Sequence, residues 1–200
     1  MGNNSKNDTD VDLLFRFKNG EEEAFLELYN KYKTPILNYI YRSCQDRSMA
    51  EDITQEIFLK VFRGAKNYRP QGKISSWIYT ISTHVLWKRM KKERRLLMIV
   101  NQKDSPDLQE DLLSRIEDTR VQSPLEKLEE KQGEAAVRKA IESLPLKQRQ
   151  AVVLSVYQQL SYKDIGQALE VSEGAVKVMI HRAKKTLKKR LSAFITEQGS

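Results

Sequence analysis

Apolar residues recur at steps of three and four along most of this chain, and that spacing confines it to helices. Phe25, Leu28, Tyr32, Ile36 and Tyr39 share one helical face, and Ile53, Ile57 and Val61 follow one another at i+4 on another. Only 8 glycines and 5 prolines occur in 200 residues, so little interrupts the pattern and the predicted fold is all-α. Asn19-Gly20 marks a turn, and Glu21, Glu22 and Glu23 behind it stand where a helix start favours negative charge. Thr34-Pro35 predicts a kink or restart. A third helix is predicted from about 46 to 64, a loop over 67–72, and a fourth helix from about 75 to 95.

From about 96 to 122 the composition changes. Asp104, Asp107, Glu110, Asp111, Glu117 and Asp118 outnumber Arg115 and Arg120, and Ser105-Pro106 interrupts any long helix. The stretch reads as a flexible acidic linker between two small helical domains, 11–95 and 123–192. Order restarts at Ser123-Pro124-Leu125-Glu126, a capping box with proline at the first helical position. Val137, Ile141 and Leu144 mark a helix that stops at Pro145. The next segment, with Ala151, Val152, Val153, Leu154, Val156 and Tyr157, is too apolar for a surface helix and is predicted to centre a second core.

The formal net charge is +8, which favours a polyanionic partner because phosphate contacts release counterions. No apolar run approaches the roughly 20 residues of a membrane span, and the polar N-terminus lacks a signal-peptide core. Cys44 is the only cysteine, so neither an internal disulfide nor a cysteine zinc cluster is predicted. These features fit a cytoplasmic protein with no membrane insertion. Two histidines, no glycine-rich phosphate loop and no nucleophile–base arrangement argue against an enzyme, and no cofactor or metal is predicted.

Ser161-Tyr162-Lys163-Asp164 opens a short helix with a capping pattern, Glu170-Val171 turns the chain, and Ser172 caps the next helix. Two helices joined so tightly form a helix-turn-helix, whose second helix enters the major groove. That helix buries Val176, Ile180, Ala183 and Leu187. Its other face carries Lys177, His181, Arg182, Lys184, Lys185, Lys188, Lys189 and Arg190 with no acidic residue among them. Lysines complementing the helix dipole account for the last turn only. Near the helix start, Ser172, Glu173, Lys177, Val178 and His181 are candidates for base edges, and Arg182, Lys185 and Lys189 for phosphates. Glu173 is either an acceptor for cytosine or simply a helix-start charge.

On the fourth helix, Ile74, Ile78, Ile81 and Val85 form a buried stripe, while Thr80, Thr83, His84, Trp87 and Lys91 lie on another face. The run 84–95 is strongly basic. Trp87 either stacks on an unpaired base, worth about 1–3 kcal/mol, or packs against the linker or another helix. Trp77 reads as structural.

The run Ala50-Glu51-Asp52-Ile53-Thr54-Gln55-Glu56-Ile57-Phe58-Leu59-Lys60-Val61-Phe62 resembles the core-binding signature of sigma factor region 2. Ile74-Ser75-Ser76-Trp77-Ile78-Tyr79-Thr80-Ile81 is similar to the start of its promoter-melting helix. Leu144-Pro145-Leu146-Lys147-Gln148-Arg149 and Val171-Ser172-Glu173-Gly174-Ala175-Val176-Lys177 resemble region 4. The order, and the lack of a folded region between them, resembles the extracytoplasmic function group.

The resemblance implies a non-enzymatic initiation factor. Asp52, Gln55, Glu56 and Leu59 would meet the clamp helices of the largest subunit of core RNA polymerase, and region 4 the flap of the second subunit. Region 2 would open the −10 element of promoter DNA with Asn67, Arg69, Lys73, Thr80, Thr83, His84, Trp87, Lys88 and Lys91. Region 4 would read the −35 element, and the linker would thread the catalytic cleft and RNA exit path. An anti-sigma factor is a further implied partner. Three positions depart from the family pattern: His84 stands for the usual asparagine, Lys88 for a frequent aspartate, and Met179 for a basic residue. The alternative reading is a helix-turn-helix regulator that acts without being a polymerase subunit.

Overall fold

In the computed structural model, the described backbone covers residues 4–69, 72–101 and 126–198, and side chains are described over 9–69, 72–96 and 133–192. Eight helices form within these limits: α1 Asn4–Lys18, α2 Glu22–Cys44, α3 Arg47–Ala65, α4 Ile74–Asn101, α5 Glu126–Glu142, α6 Leu146–Val156, α7 Tyr162–Leu169 and α8 Glu173–Gln198. Helix α4 runs on to Asn101, into the span read as linker from 96 to 122; the rest of that span and the Ser123 start signal lie outside the described residues.

The helix ends follow from local chemistry. Gly20 takes φ +98° between α1 and α2, a conformation that a Cβ would strain. Asp46 accepts from the Met49 amide at 2.7 Å to start α3. Ser161 and Ser172 do the same for α7 and α8, accepting from Asp164 N at 3.1 Å and Ala175 N at 3.2 Å. Glu170, at φ 53°, closes α7 in the left-handed region. Helix α2 runs through Pro35 without the restart that was one of the two expectations. Tyr32, Ile36, Tyr39 and Ile40 are all buried around it, and that packing outweighs the lost backbone hydrogen bond.

The helices α1–α4 form one bundle and α5–α8 another, but they do not keep separate cores. A single buried cluster joins Ile36, Tyr39, Ile78 and Leu86 of the first to Ala151, Val153, Leu154, Ile165 and Leu169 of the second. Among the described residues, Leu144, Val152 and Ala183, with Leu187 against them, form a distinct cluster, on the α8 side of α6. The predicted second core is therefore mostly shared. The helix α6 lies between α8 and α2, and α7 lies along α4.

Within the helix-turn-helix, Gly166 sits where the turn returns. A Cβ there would lie 2.8 Å from the Val171 carbonyl oxygen, a backbone atom that cannot swing aside. Gly166→Ala should therefore destabilise the chain by about 1–3 kcal/mol, read as a lower denaturant midpoint.

Candidate nucleic-acid and partner interfaces

Three surfaces carry the candidate residues, and they differ in how far they are open. The outer face of α3 is the simplest. Asp52, Gln55 and Leu59 are exposed and Glu56 half-exposed, because Ile53, Ile57 and Val61 turn the opposite face inward. Lys60 approaches Glu56 at 3.7 Å and Arg89 approaches Asp52 at 3.9 Å, both weak surface pairs that a partner's cation can displace.

The second surface is α8. Burial of Val176, Ile180 and Ala183 leaves Ser172, Glu173, Lys177, Val178, His181, Arg182, Lys185 and Lys189 exposed together. All eight thus share one open side of the helix-turn-helix. Glu173 and Lys177 pair at 3.1 Å one turn apart, so the carboxylate already has a local partner.

The third surface, on α4 and the loop before it, is covered in part. Gly64, Tyr68, Gly72, Lys73, Trp77 and Thr80 line a cleft of about 590 Å³ together with Asn67, Arg69, Ser76, Ile81 and, from α7, Gln167. Trp77 helps build its wall, its ring tilted 45° to that of Tyr68 at 4.6 Å and close over Gly64. Asn67, Arg69, Lys88 and Lys91 are exposed around the margins. Thr80 bonds back to the Ser76 carbonyl of its own helix at 2.8 Å.

Of the remaining candidates, Lys73, His84 and Trp87 engage the second bundle, and Thr83 is held within the first. Thr83, expected on an open face, is fully buried, with its hydroxyl 3.0 Å from Tyr39 Oη. Trp87 is half-buried and takes the packing alternative: its Nε1 donates to Gln150 Oε1 of α6 at 2.8 Å. An indole N–H can only donate, which fixes the amide and leaves Gln150 Nε2 to donate to Tyr39 Oη at 3.0 Å. Lys147 lies 4.9 Å over the Trp87 ring. His84 Nε2 stands 3.1 Å from the Glu170 carboxylate. Lys73 donates to Asp164 Oδ2 and Ser76 to Oδ1, both at 2.9 Å.

Several of these partners escaped the sequence reading. Asp164 was legible as a capping residue but not as the anchor for Lys73, which lies 91 positions away. Gln150 carried one signal, a polar residue at the edge of an apolar helix that is buried completely. Gln158 holds Tyr79 Oη at 2.7 Å and the Pro35 carbonyl at 3.3 Å, and nothing local announces it. Among the described residues, no group of His, Cys, Asp or Glu is placed to hold a metal ion, and no helix is long and apolar enough to cross a membrane.

Burial favours the neutral acid at Asp164. The hydrogen bonds from Ser161, Lys73 and Ser76 outweigh it and hold the carboxyl below its usual value. This stabilisation is present above the unfolded carboxyl value of about 3.9 and is lost as pH falls through the lower folded value. Asp164→Asn should cost about 1–3 kcal/mol at neutral pH. Urea midpoints across a pH series should show the gap to the unaltered protein narrowing below about pH 4.

Residues 28–96 match the family model for Sigma-70 region 2, and residues 134–187 match that for Sigma-70, region 4. The RNA polymerase sigma-H factor of Pseudomonas aeruginosa is 29% identical over 190 residues, covering 94% of this chain and 96% of that protein. The ECF RNA polymerase sigma factor SigW of Bacillus subtilis is 28% identical over 183 residues, covering 87% and 92%. The sigma factor RpoE of Bartonella quintana, solved in complex with the anti-sigma factor NepR, has a similar fold. Its TM-score is 0.62 at 19% identity, over 84% of this chain and 96% of that one.

Proposed function

This chain belongs to the sigma-70 family, in its extracytoplasmic function group, and from that premise we propose how its residues divide the work. As a non-enzymatic initiation factor it directs RNA polymerase to promoters. The open side of α8 supports the −35 reading most directly, since no acidic residue follows Glu173 as far as Ser192. Ser172, Lys177, Val178 and His181 would lie at base edges, and Arg182, Lys185 and Lys189 against phosphates. Glu173 is given to Lys177 rather than to a base.

The acidic and amide stripe of Asp52, Gln55 and Glu56, with Leu59, would meet basic clamp helices of the largest polymerase subunit, and region 4 the flap of the second. The loop from Asn67 to Lys73 and the α4 face through Thr80, His84, Trp87, Lys88 and Lys91 would take unpaired −10 DNA, with buried Thr83 beneath that face rather than on it. Unstacking a base costs a few kcal/mol, which stacking and cationic contacts can offset. An anti-sigma factor is a further proposed partner, by analogy with the complex of RpoE with NepR.

Two experiments test these assignments. Reversing the charge at Asp52 and Glu56 should abolish binding to core polymerase while helix content is unchanged. Retained affinity for the core enzyme would reject the α3 surface. On α8, Lys177→Ala should relax base preference at one −35 position and cost about 1–3 kcal/mol. Lys185→Ala should weaken all promoters alike and lower the salt slope by about 1. Identical behaviour of the two across a promoter panel would overturn the division into base and phosphate contacts.

A further inference from the structure

The last two turns of α2, the start of α3, the middle of α5 and Tyr157 after α6 enclose a cleft of about 560 Å³. That lies within the range of about 300–1,000 Å³ usual for small-ligand sites. None of the residues assigned to promoter DNA or to core polymerase lines it. Its charge is uneven, since Arg42, Arg47 and Arg138 line it with the single carboxylate of Glu134. Arg47 pairs with Glu51 at 3.2 Å along its own helix, an exposed contact that an anion can displace. Among the described residues, neither Arg42 nor Arg138 forms an ion pair. Arg42 lies instead over the Tyr157 ring at 4.2 Å, which holds its planar fork in place. Half-buried Tyr41 and exposed Val137 add apolar surface. Arg149 fixes the spacing of the walls. It donates to the Ser43 carbonyl at the end of α2 at 2.7 Å and to the Leu144 carbonyl after α5 at 3.3 Å.

We propose that this cleft binds a nucleoside diphosphate. A guanidinium fork meets two phosphate oxygens at once, and half-buried Arg42 and Arg138, on different helices, suit two adjacent phosphates. Arg47 at the margin is a third cation for the same charge. Inorganic phosphate would satisfy the cations but leave most of the cleft and its apolar lining unused. A base against Tyr41 and Val137 uses both, as flat ligands do in sites with aromatic walls. Glu134 works against any anion here, so its charge sets a ceiling on affinity rather than supplying a contact. Arg42 belongs to the first bundle and Arg138 to the second. A ligand held by both therefore stabilises the folded arrangement of the two by mass action. The proposal goes beyond the promoter assignments and shares no residue with them.

The test is titration calorimetry of the full chain with ADP, GDP, pyrophosphate and adenosine, paired with thermal melts. A nucleoside diphosphate should bind one to one and raise Tm, pyrophosphate should bind more weakly, and adenosine should not bind. Arg42→Ala and Arg138→Ala should each weaken the diphosphate by about tenfold or more, the loss of one charge-assisted contact. Glu134→Gln should tighten it, a gain that misfolding does not produce. Circular dichroism identifies an arginine variant that fails to fold, and Glu134→Gln then supplies the decisive reading. No saturable binding of either ADP or GDP overturns the proposal. So does binding that survives both arginine changes and ignores Glu134→Gln. Binding that is lost with Lys185→Ala, and not with the arginine changes, places the phosphates on α8 and overturns the cleft. Pyrophosphate that binds as tightly as ADP and GDP overturns the nucleoside assignment.

Discussion

A helical turn that is apolar on every side must be covered on every side, and residues 151–154 of α6 form such a turn. Ala151, Val152, Val153 and Leu154 are consecutive and all buried, so no single neighbour can shelter them. Val152 turns toward Ala183 and Leu187 of α8. Ala151, Val153 and Leu154 turn the other way, into the cluster that contains Ile36, Tyr39 and Leu86. Each large aliphatic side chain buried there contributes about 1.5–3 kcal/mol. Separation of the bundles would return part of that surface to water, and so the two regions meet.

Apolar contact brings the regions together, but the polar groups fix how. Gln150 is fully buried with both ends of its amide committed. Losing either partner leaves a buried donor or acceptor unmatched, at about 1–3 kcal/mol. Asp164 imposes the same condition from α7, since a carboxylate that buried needs the cation and hydroxyl that α4 supplies. Such groups penalise displaced registers more than they strengthen the correct one. The exposed pairs, Glu56 with Lys60 and Glu173 with Lys177, set no comparable condition and remain available to partners.

The same arrangement sorts the three surfaces by availability. The α3 stripe and the α8 face point away from the contact between bundles, and their charges meet solvent. The α4 face lies in the contact. A basic, aromatic helix that would take an unpaired strand is also well suited to hold carboxylates and amides, because the demands are chemically alike. Region 4 supplies both from helices that carry its own duplex-reading element.

The sequence by itself determined the local structure and the family. Steps of three and four fixed the helices, Asp46, Ser161 and Ser172 fixed three of their starts, and the serine-capped turn after α7 announced the helix-turn-helix. These signals act within a few residues, where backbone sterics and capping bonds decide the outcome. The exposed side of α8 was equally legible, since four apolar positions on one helix leave only one face for its cations. Tertiary structure alone decided that Pro35 would not break α2, that Thr83 would be buried, and that Trp87 would lie against Gln150 rather than open to solvent. Each depends on a surface supplied from elsewhere: Gln150 stands 63 residues from Trp87, and Gln158 stands 123 from Pro35. Periodicity shows that a face is apolar or basic, but not what covers it. That choice is made when a doubly apolar helix must find its second cover.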